Sequence, residues 1–446
     1  MAIDERNSNR IVDQKWAEIF EDYHIFDNIE RHGCFHITSA EINKYKEARL
    51  MTKFDYITSL PDIFHYNKLA ILPTKRGEYV IGHFNAYHKM QTRDRTLLKD
   101  RKEIRFPSWV ETIDPKNITS ESTMLNAAAA SGMIQQIFDV YSEELVSTVN
   151  GRMSSNNFSF NINGLGNTAD ESYKIDVQNS QVEIDGGFET PDKLILFEAK
   201  NNATDSFLIR QLYYPYQLWQ KKVNKEVIPV FLQYANDTFN FSVFRFDEIE
   251  NYSSLKLVKR YNYIFGDETT SLDDIVNVFH HTKEEKEPEG IPIPQADSFN
   301  KVLGVLESIR DSENGIVTNE ELTLENDYVM RQANYYTSAG MYLELIEKVP
   351  GGGYSLSPKG KIYLNKNRKD RNLFISELLF KHQPIRLVFE RGLNRGKPLT
   401  KDEAFALLEK NKDPEKTIKL DSKTRNRRCG TVASWVRYLF NLVDDH

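Results

Sequence analysis

Val182-Glu183-Ile184-Asp185-Gly186-Gly187-Phe188-Glu189 runs through Thr190-Pro191-Asp192 into Lys193-Leu194-Ile195-Leu196-Phe197-Glu198-Ala199-Lys200. The flanks are strand-like and Pro191-Asp192 is a turn signal, so the stretch reads as two antiparallel strands. With Pro191 and Asp192 as the loop, Asp185 falls directly across from Glu198, the two Cβ atoms about 5 Å apart. Lys200 follows Glu198 by two positions and shares its face, whereas Ile195, Phe197 and Ala199 point the other way, against a helix layer. Like charges facing each other across strands repel, so this pair suits structure alone poorly unless a cation neutralises it. A hard divalent ion is the natural partner. Carboxylates holding Mg²⁺ can lower the pKa of a bound water and offset charge developing on a phosphodiester oxygen, and a neighbouring ammonium can orient that water or stabilise the transition state. Two other readings stay open: a bulge at Gly186-Gly187 that turns Glu183 or Asp185 away, and a solvent-facing acidic hairpin without chemistry.

Working outward, strands are expected near 173–177, 181–189, 194–200, 226–234 and 240–246, with one helix from about 206 to 222. Upstream, Thr119 or Ser120 caps a helix that runs through Ala127 and Ala130 towards Phe138 and Val146. Residues 1–107 read as an N-terminal α+β unit with strand-like runs at Leu69–Pro73 and Glu78–Phe84. The charged stretch from Lys283 to Gly290, continuing to Pro294, is the clearest linker. Beyond it, helices begin at Phe299, Thr318 and Tyr328, and Pro350-Gly351-Gly352-Gly353 turns the chain between two short strands, the order of a winged helix-turn-helix. Further helices are expected near 372–381, 384–391, 400–411 and 427–441. The expected fold class is multidomain α/β: an N-terminal unit (1–107), a mixed sheet flanked by helices (108–282), a linker (283–296), a winged-helix domain (297–365) and a basic helical, winged-helix-like domain (366–446).

Composition narrows the function. A chain of 446 residues with 40% hydrophobic and 28% charged residues carries real cores and lacks a disorder signature. No run of apolar residues is long enough to span a bilayer and the start lacks a signal-like segment, so a cytoplasmic protein without membrane association is expected. Cys34 and Cys429, the two cysteines, form neither a disulfide framework nor a thiolate metal cluster. The net charge of −7 is unevenly spread: residues 365–446 hold 19 Lys+Arg against 11 Asp+Glu, the rest 39 against 54. A basic tail on an acidic body suits a polyanion-binding module, and equally a well-solvated surface.

At Ile184-Asp185 and Glu198-Ala199-Lys200, two motif halves on consecutive strands, the sequence resembles the PD-(D/E)XK nuclease superfamily, and within it the type II restriction endonucleases; no proline precedes Asp185. The resemblance implies a restriction-endonuclease-like mixed sheet, with Asp185 and Glu198 as ligands of Mg²⁺ and Lys200 assisting the attacking water. It implies a further acidic residue from the first core helix, for which Glu121, Glu143 and Glu144 are candidates and Glu121 is favoured. Gln211 matches a glutamine that several members place beside the metal, although Pro215 stands where an aromatic residue is usual. The bland alternative makes Leu212, Tyr216 and Trp219 core contacts and Gln211 a polar neighbour.

Double-stranded DNA is the expected partner. The third helix after the linker presents Arg331, Gln332, Asn334 and Tyr335, residue types that reach base edges and phosphates, with Lys359 beyond the turn for backbone contact. In the last helix, Arg425, Arg427, Arg428, Thr431 and Ser434 are expected outside and Val432, Trp435, Val436 and Leu439 inside. Such helices also serve as protein-docking units. Breaking both strands needs two centres and one chain offers one, so a homodimer or transient pairing on DNA is expected, with a cognate methyltransferase acting on the same site. The competing expectations are a non-catalytic DNA-binding regulator and a structure-specific repair nuclease.

Overall fold

A computed structural model of the chain describes residues 11–90, 101–115, 117–266, 270–287, 293–325, 328–410 and 422–443, with the side chains of 324, 325 and 422–425 outside that description. The described residues form two compact units. One lies within Met1–Arg93, Ser120–Gln233 and Phe239–Tyr261, the other within Asp94–Thr119, Tyr234–Thr238 and Asn262–His446. Both are mixtures of helix and sheet, as the alternation of periods in the sequence led us to expect.

In the first unit, Cys34–Thr38, Glu78–Gly82, Ala70–Lys75, Ser172–Gln178 and Asn157–Asn163 lie side by side, in that order, as one sheet. Strands from both sides of residue 107 therefore share hydrogen bonds, and the contacts divide the chain elsewhere than at that expected boundary.

The second sheet is built around five elements: α1 (Glu121–Ala130), β1 (Gln181–Glu189), β2 (Lys193–Lys200), α2 (Arg210–Gln220) and β3 (Glu226–Ala235). Six of its seven strands run in the order Leu255–Phe265, Thr238–Phe246, β3, β2, β1 and Val146–Ser154, and Arg101–Ile104 pairs with the outer edge of Leu255–Phe265. β2 is antiparallel to β1 and parallel to β3, and α2 makes the crossover that a parallel pair needs. Leu194 to Ala199 of β2 are all buried, as befits a central strand covered on both faces.

Three local expectations change. The helix capped by Ser120, whose Oγ accepts from Thr123 N at 3.1 Å, stops at Ala130; Gly132 at φ 83° begins a second helix, Met133–Phe138, and Val146 already belongs to a strand. The helix expected from 206 starts at Arg210, because Ser206–Leu208 pairs with Tyr87–Lys89 as a strand. Gly186-Gly187 places no bulge between β1 and β2: Glu189, Phe188, Gly187 and Gly186 oppose Leu194, Ile195, Leu196 and Phe197 without a shift. The irregularities fall on the other edge of β1, against Val146–Ser154. The glycines are there for close packing, since a Cβ at 187 would stand 2.7 Å from Val149 Cβ and one at 186 would stand 3.0 Å from Leu125 Cδ1.

In the second unit, α3 (Phe299–Asp311), Asn319–Glu325 and α4 (Met330–Tyr342) precede a hairpin of Ile346–Lys348 with Tyr354–Leu356, to which Ile316–Val317 adds a third strand. Helices at Arg368–Phe380, Gln383–Leu393, Lys401–Lys410 and α5 (Ser422–Asn441) follow. Phe299, Leu306, Tyr336, Phe389, Trp435 and Leu439 belong to one buried cluster, so the stretches expected as two C-terminal domains share a core. Trp435 Nε1 donates to Ala296 O at 2.7 Å. The described part of the expected linker is held rather than free: Glu285 N donates to Lys381 O at 2.9 Å, and the Tyr342 hydroxyl donates to Glu287 Oε2 at 2.5 Å.

The glycine packing is testable. Gly187→Val forces a branched side chain against Val149 and Leu196 and should lower the unfolding free energy by about 1–3 kcal/mol, read by denaturant titration.

Candidate functional site

The β1–β2 ladder ends at Gly186 and Phe197, one pair short of Asp185 and Glu198. Where the backbone bonds cease, the Asp185 side chain takes over: its Oδ2 accepts from Ala199 N at 2.7 Å. β2 nevertheless stays paired with β3 along its whole length, Lys200 opposite Gln233. Gln233 Nε2 donates to Thr204 Oγ1 at 2.9 Å, tying down the turn after Lys200. One edge of β2 is fixed and the other opens, which places Glu198 and Lys200 at the carboxyl end of a central strand beside a gap. Carboxyl ends of strands in open α/β sheets are where ligands bind.

Four further atoms converge there. Lys200 Nζ lies 2.5 Å from Glu198 Oε1 and 3.6 Å from Glu121 Oε1, and Gln211 Nε2 donates to the same Glu198 oxygen at 2.5 Å. Glu121 opens α1 and Gln211 sits in the first turn of α2, so two helix starts and two strands supply the group. Thus Asp185, Glu198, Lys200, Gln211 and Glu121, the five residues singled out from sequence, are brought together. Glu121 meets the group through Lys200. Glu144, an alternative to it, is occupied in the turn Ser142–Glu144, where its carboxylate accepts from Tyr141 N at 3.3 Å.

The electrostatics follow from burial. Glu198 is 7% exposed, and loss of solvent pushes its carboxyl up to about 8, Lys200 pulling down and Asp185 pushing up. Burial likewise raises Asp185 and Glu121, with Lys200 opposing in both cases. Burial works against the Lys200 ammonium, but the charges of Glu198, Glu121, Tyr56 and Asp185 outweigh it and hold the amine well above its ordinary range. The centre has more buried negative charge than one lysine satisfies.

Among the described residues no group of three or more His, Cys, Asp and Glu is gathered closely enough to hold a metal. Mg²⁺ does not need one, since it keeps several waters and is commonly held by one or two carboxylates. Gln211 supplies an independent sign of fit: its Oε1 is buried without a hydrogen-bond partner among the described residues while its Nε2 holds Glu198. An orphaned acceptor beside two raised carboxylates is what a hydrated cation would satisfy.

Sequence reading offers the stretch from Glu47 to Asp55 as a possible phosphate contact but does not place it beside this centre. Lys53, Asp55 and Tyr56 border the centre, their charges acting on Glu121, on Asp185 and Glu198, and on Lys200. More than 100 positions separate them from the hairpin, and no local pattern announces the approach.

In the second unit, Arg331 and Asn334 are exposed on α4, and Arg331 Nε donates to the Tyr335 hydroxyl at 2.6 Å with its guanidinium over that ring. Gln332 Oε1 accepts from Val329 N at 3.0 Å, and Asn334 Oδ1 from Asn319 Nδ2 at 2.7 Å. Lys359 is ion-paired with Glu344. On α5, Arg427 is exposed, and Arg428 is half-buried, its Nε and Nη1 without a hydrogen-bond partner among the described residues. The side chain of Arg425 lies outside the described residues. Thr431 corrects the expected outer face: it is 1% exposed, because one turn before Trp435 it belongs to the inward stripe. Ser434 Oγ donates to Asp297 O at 2.5 Å and so is engaged internally. Among the described residues no helix is long and apolar enough to cross a membrane.

Three family models match the chain: a domain of unknown function (DUF6996) over residues 13–81, a domain of unknown function (DUF6997) over 82–264 and a domain of unknown function (DUF7226) over 301–444. The five gathered residues all lie in the middle match. No curated protein and no solved structure matches the chain.

Raised carboxyls give cation binding a definite pH dependence, because protons must leave before a cation enters. Calorimetric titration with Mg²⁺ or Mn²⁺ alone should show affinity climbing from pH 6 to about 8 and levelling above it, with proton release at the lower pH. Affinity independent of pH would mean that Glu198 is not a ligand.

Proposed function

We propose that the chain is a Mg²⁺-dependent endonuclease of the PD-(D/E)XK type that hydrolyses phosphodiester bonds of duplex DNA at a short sequence, as type II restriction enzymes do. The observation that carries this reading is the convergence of Asp185, Glu198, Lys200 and Gln211 where β1 and β2 part. Asp185 and Glu198 would hold the ion. When bound, Mg²⁺ supplies a nucleophilic water at neutral pH and offsets charge on the transferring phosphoryl group. Lys200, held between Glu198 and Glu121, stays protonated and can donate to the attacking water or a phosphoryl oxygen. Gln211 fixes the Glu198 rotamer, and the Ala199 amide fixes that of Asp185.

The second unit supports the DNA side of the proposal. Three helices followed by a hairpin, with Ile316–Val317 as the extra strand, have the order of a winged helix-turn-helix, in which α4 would be the reading helix and Arg331 its exposed cation. Arg427 and Arg428 would add backbone contacts. Cutting both strands with one centre per chain calls for a homodimer or pairing on DNA, and a methyltransferase of the same specificity would protect the host genome.

Incubation with unmethylated phage DNA tests the reading. Discrete fragments should form with Mg²⁺ and not with EDTA, and Asp185→Ala and Lys200→Ala should each lose at least about 100-fold in rate with binding retained. Intact DNA beside retained binding would favour a non-catalytic DNA-binding regulator, and cutting restricted to branched or single-stranded substrates a repair nuclease.

The basic tail calls for point variants, since Trp435 and Leu439 of α5 belong to the core and a truncation would expose it. Arg427→Ala should lower the slope of log affinity against log salt by about one and weaken all duplexes alike. An unchanged slope would put the phosphate contacts elsewhere.

A further inference from the structure

Lys53 to Ile57 run from just after the helix Ala48–Met51 into the first residue of the turn Ile57–Ser59. It is pinned from three sides: Phe54 O accepts from the Tyr87 hydroxyl at 2.8 Å, Asp55 O accepts from Leu208 N at 2.9 Å, and Ile57 N donates to Ser206 Oγ at 3.0 Å. Strand Ser206–Leu208 leads straight into α2, whose first turn carries Gln211. Phe54 and Tyr56 are each 4% exposed and anchor the segment, while Lys53 stays exposed. A fixed backbone therefore presents one outward lysine beside the carboxylate centre.

Lys53 makes no ion pair or hydrogen bond among the described residues, although Glu121 is close enough to feel its charge. Lys200 is committed to Glu198 and Glu121. A cation at the rim of a negative centre, not consumed by it, is suited to an anion arriving from solvent. Its compact ammonium serves a phosphate as a point charge.

We propose that Lys53 seats a backbone phosphate of the duplex against the centre, and that Lys53–Ile57 forms a fixed wall of the substrate channel. The residue touches neither the proposed metal nor the reacting atoms, so it is a positioning residue. The inference rests on the nuclease reading for its catalytic consequence, but the phosphate contact has its own readout.

The test uses full-length protein, a fluorescently labelled 20-base-pair duplex in EDTA, and a potassium chloride series, comparing the unaltered chain with Lys53→Ala, Lys53→Arg and, as a control lysine already ion-paired with Glu18, Lys15→Ala. Lys53→Ala should weaken binding about tenfold at low salt and lower the slope of log affinity against log salt by about one, while Lys53→Arg and Lys15→Ala keep it. In Mg²⁺, Lys53→Ala should raise KM about tenfold with kcat within about twofold. A slope unchanged in Lys53→Ala, or the absence of any duplex binding, overturns the proposal. Cleavage with an unchanged slope would remove the contact and leave the nuclease reading standing. A reduced slope in a chain that cuts nothing would do the reverse.

Discussion

Everything at the candidate centre depends on where the β1–β2 ladder stops. Had the backbone bonds continued one pair further, Asp185 and Glu198 would face each other at full repulsion. Instead the Asp185 carboxylate replaces the missing ladder bond by capturing the Ala199 amide, and Glu198 turns to Lys200 and Gln211. The strands part at the pair where the two carboxylates would otherwise meet. Burying such charge is costly unless it is paired and hydrogen-bonded, and here the pairing is incomplete: Glu198 rises to about 8 and Gln211 Oε1 has no partner among the described residues.

The surrounding fold supplies the rigidity that the gap removes. β3 holds the far edge of β2 along its whole length, Gln233 anchors the turn beyond Lys200, and α2 is locked by the Tyr213 and Tyr214 hydroxyls, which donate to Ile249 O and Pro73 O at 2.8 Å each. Pro215 sits inside α2 without ending it, so Gln211 remains on a helix tied at several points. A site on strand ends and helix starts, with its side chains fixed by bonds outside the centre, is preorganised in the sense that electrostatic catalysis requires.

The hairpin register was legible because a Pro-Asp turn fixes which residues oppose one another, and the five gathered residues followed from it together with the resemblance. What was illegible was non-local. Val146–Ser154 lacks a readable period because it is a mostly exposed edge strand in which Val149 alone among the nine is buried. The glycine pair suggested a bulge, whereas Val149 and Leu125 crowd it from neighbouring elements. Strands up to residue 82 join a sheet with strands from residue 157 onward, which no local propensity encodes. Thr431 was placed on the face opposite Val432 and Trp435, although its position one turn before Trp435 already pointed inward.

The central claim is that Asp185 and Glu198 share a divalent cation. Crystals of the full chain grown or soaked with Mn²⁺ and measured for anomalous scattering test it directly. The account predicts a peak at the centre, where Asp185 and Glu198 would hold the ion and Gln211 Oε1 is the nearby acceptor without a partner among the described residues. Density with Mn²⁺ elsewhere, and Lys200 still the sole cation at Glu198, would contradict it.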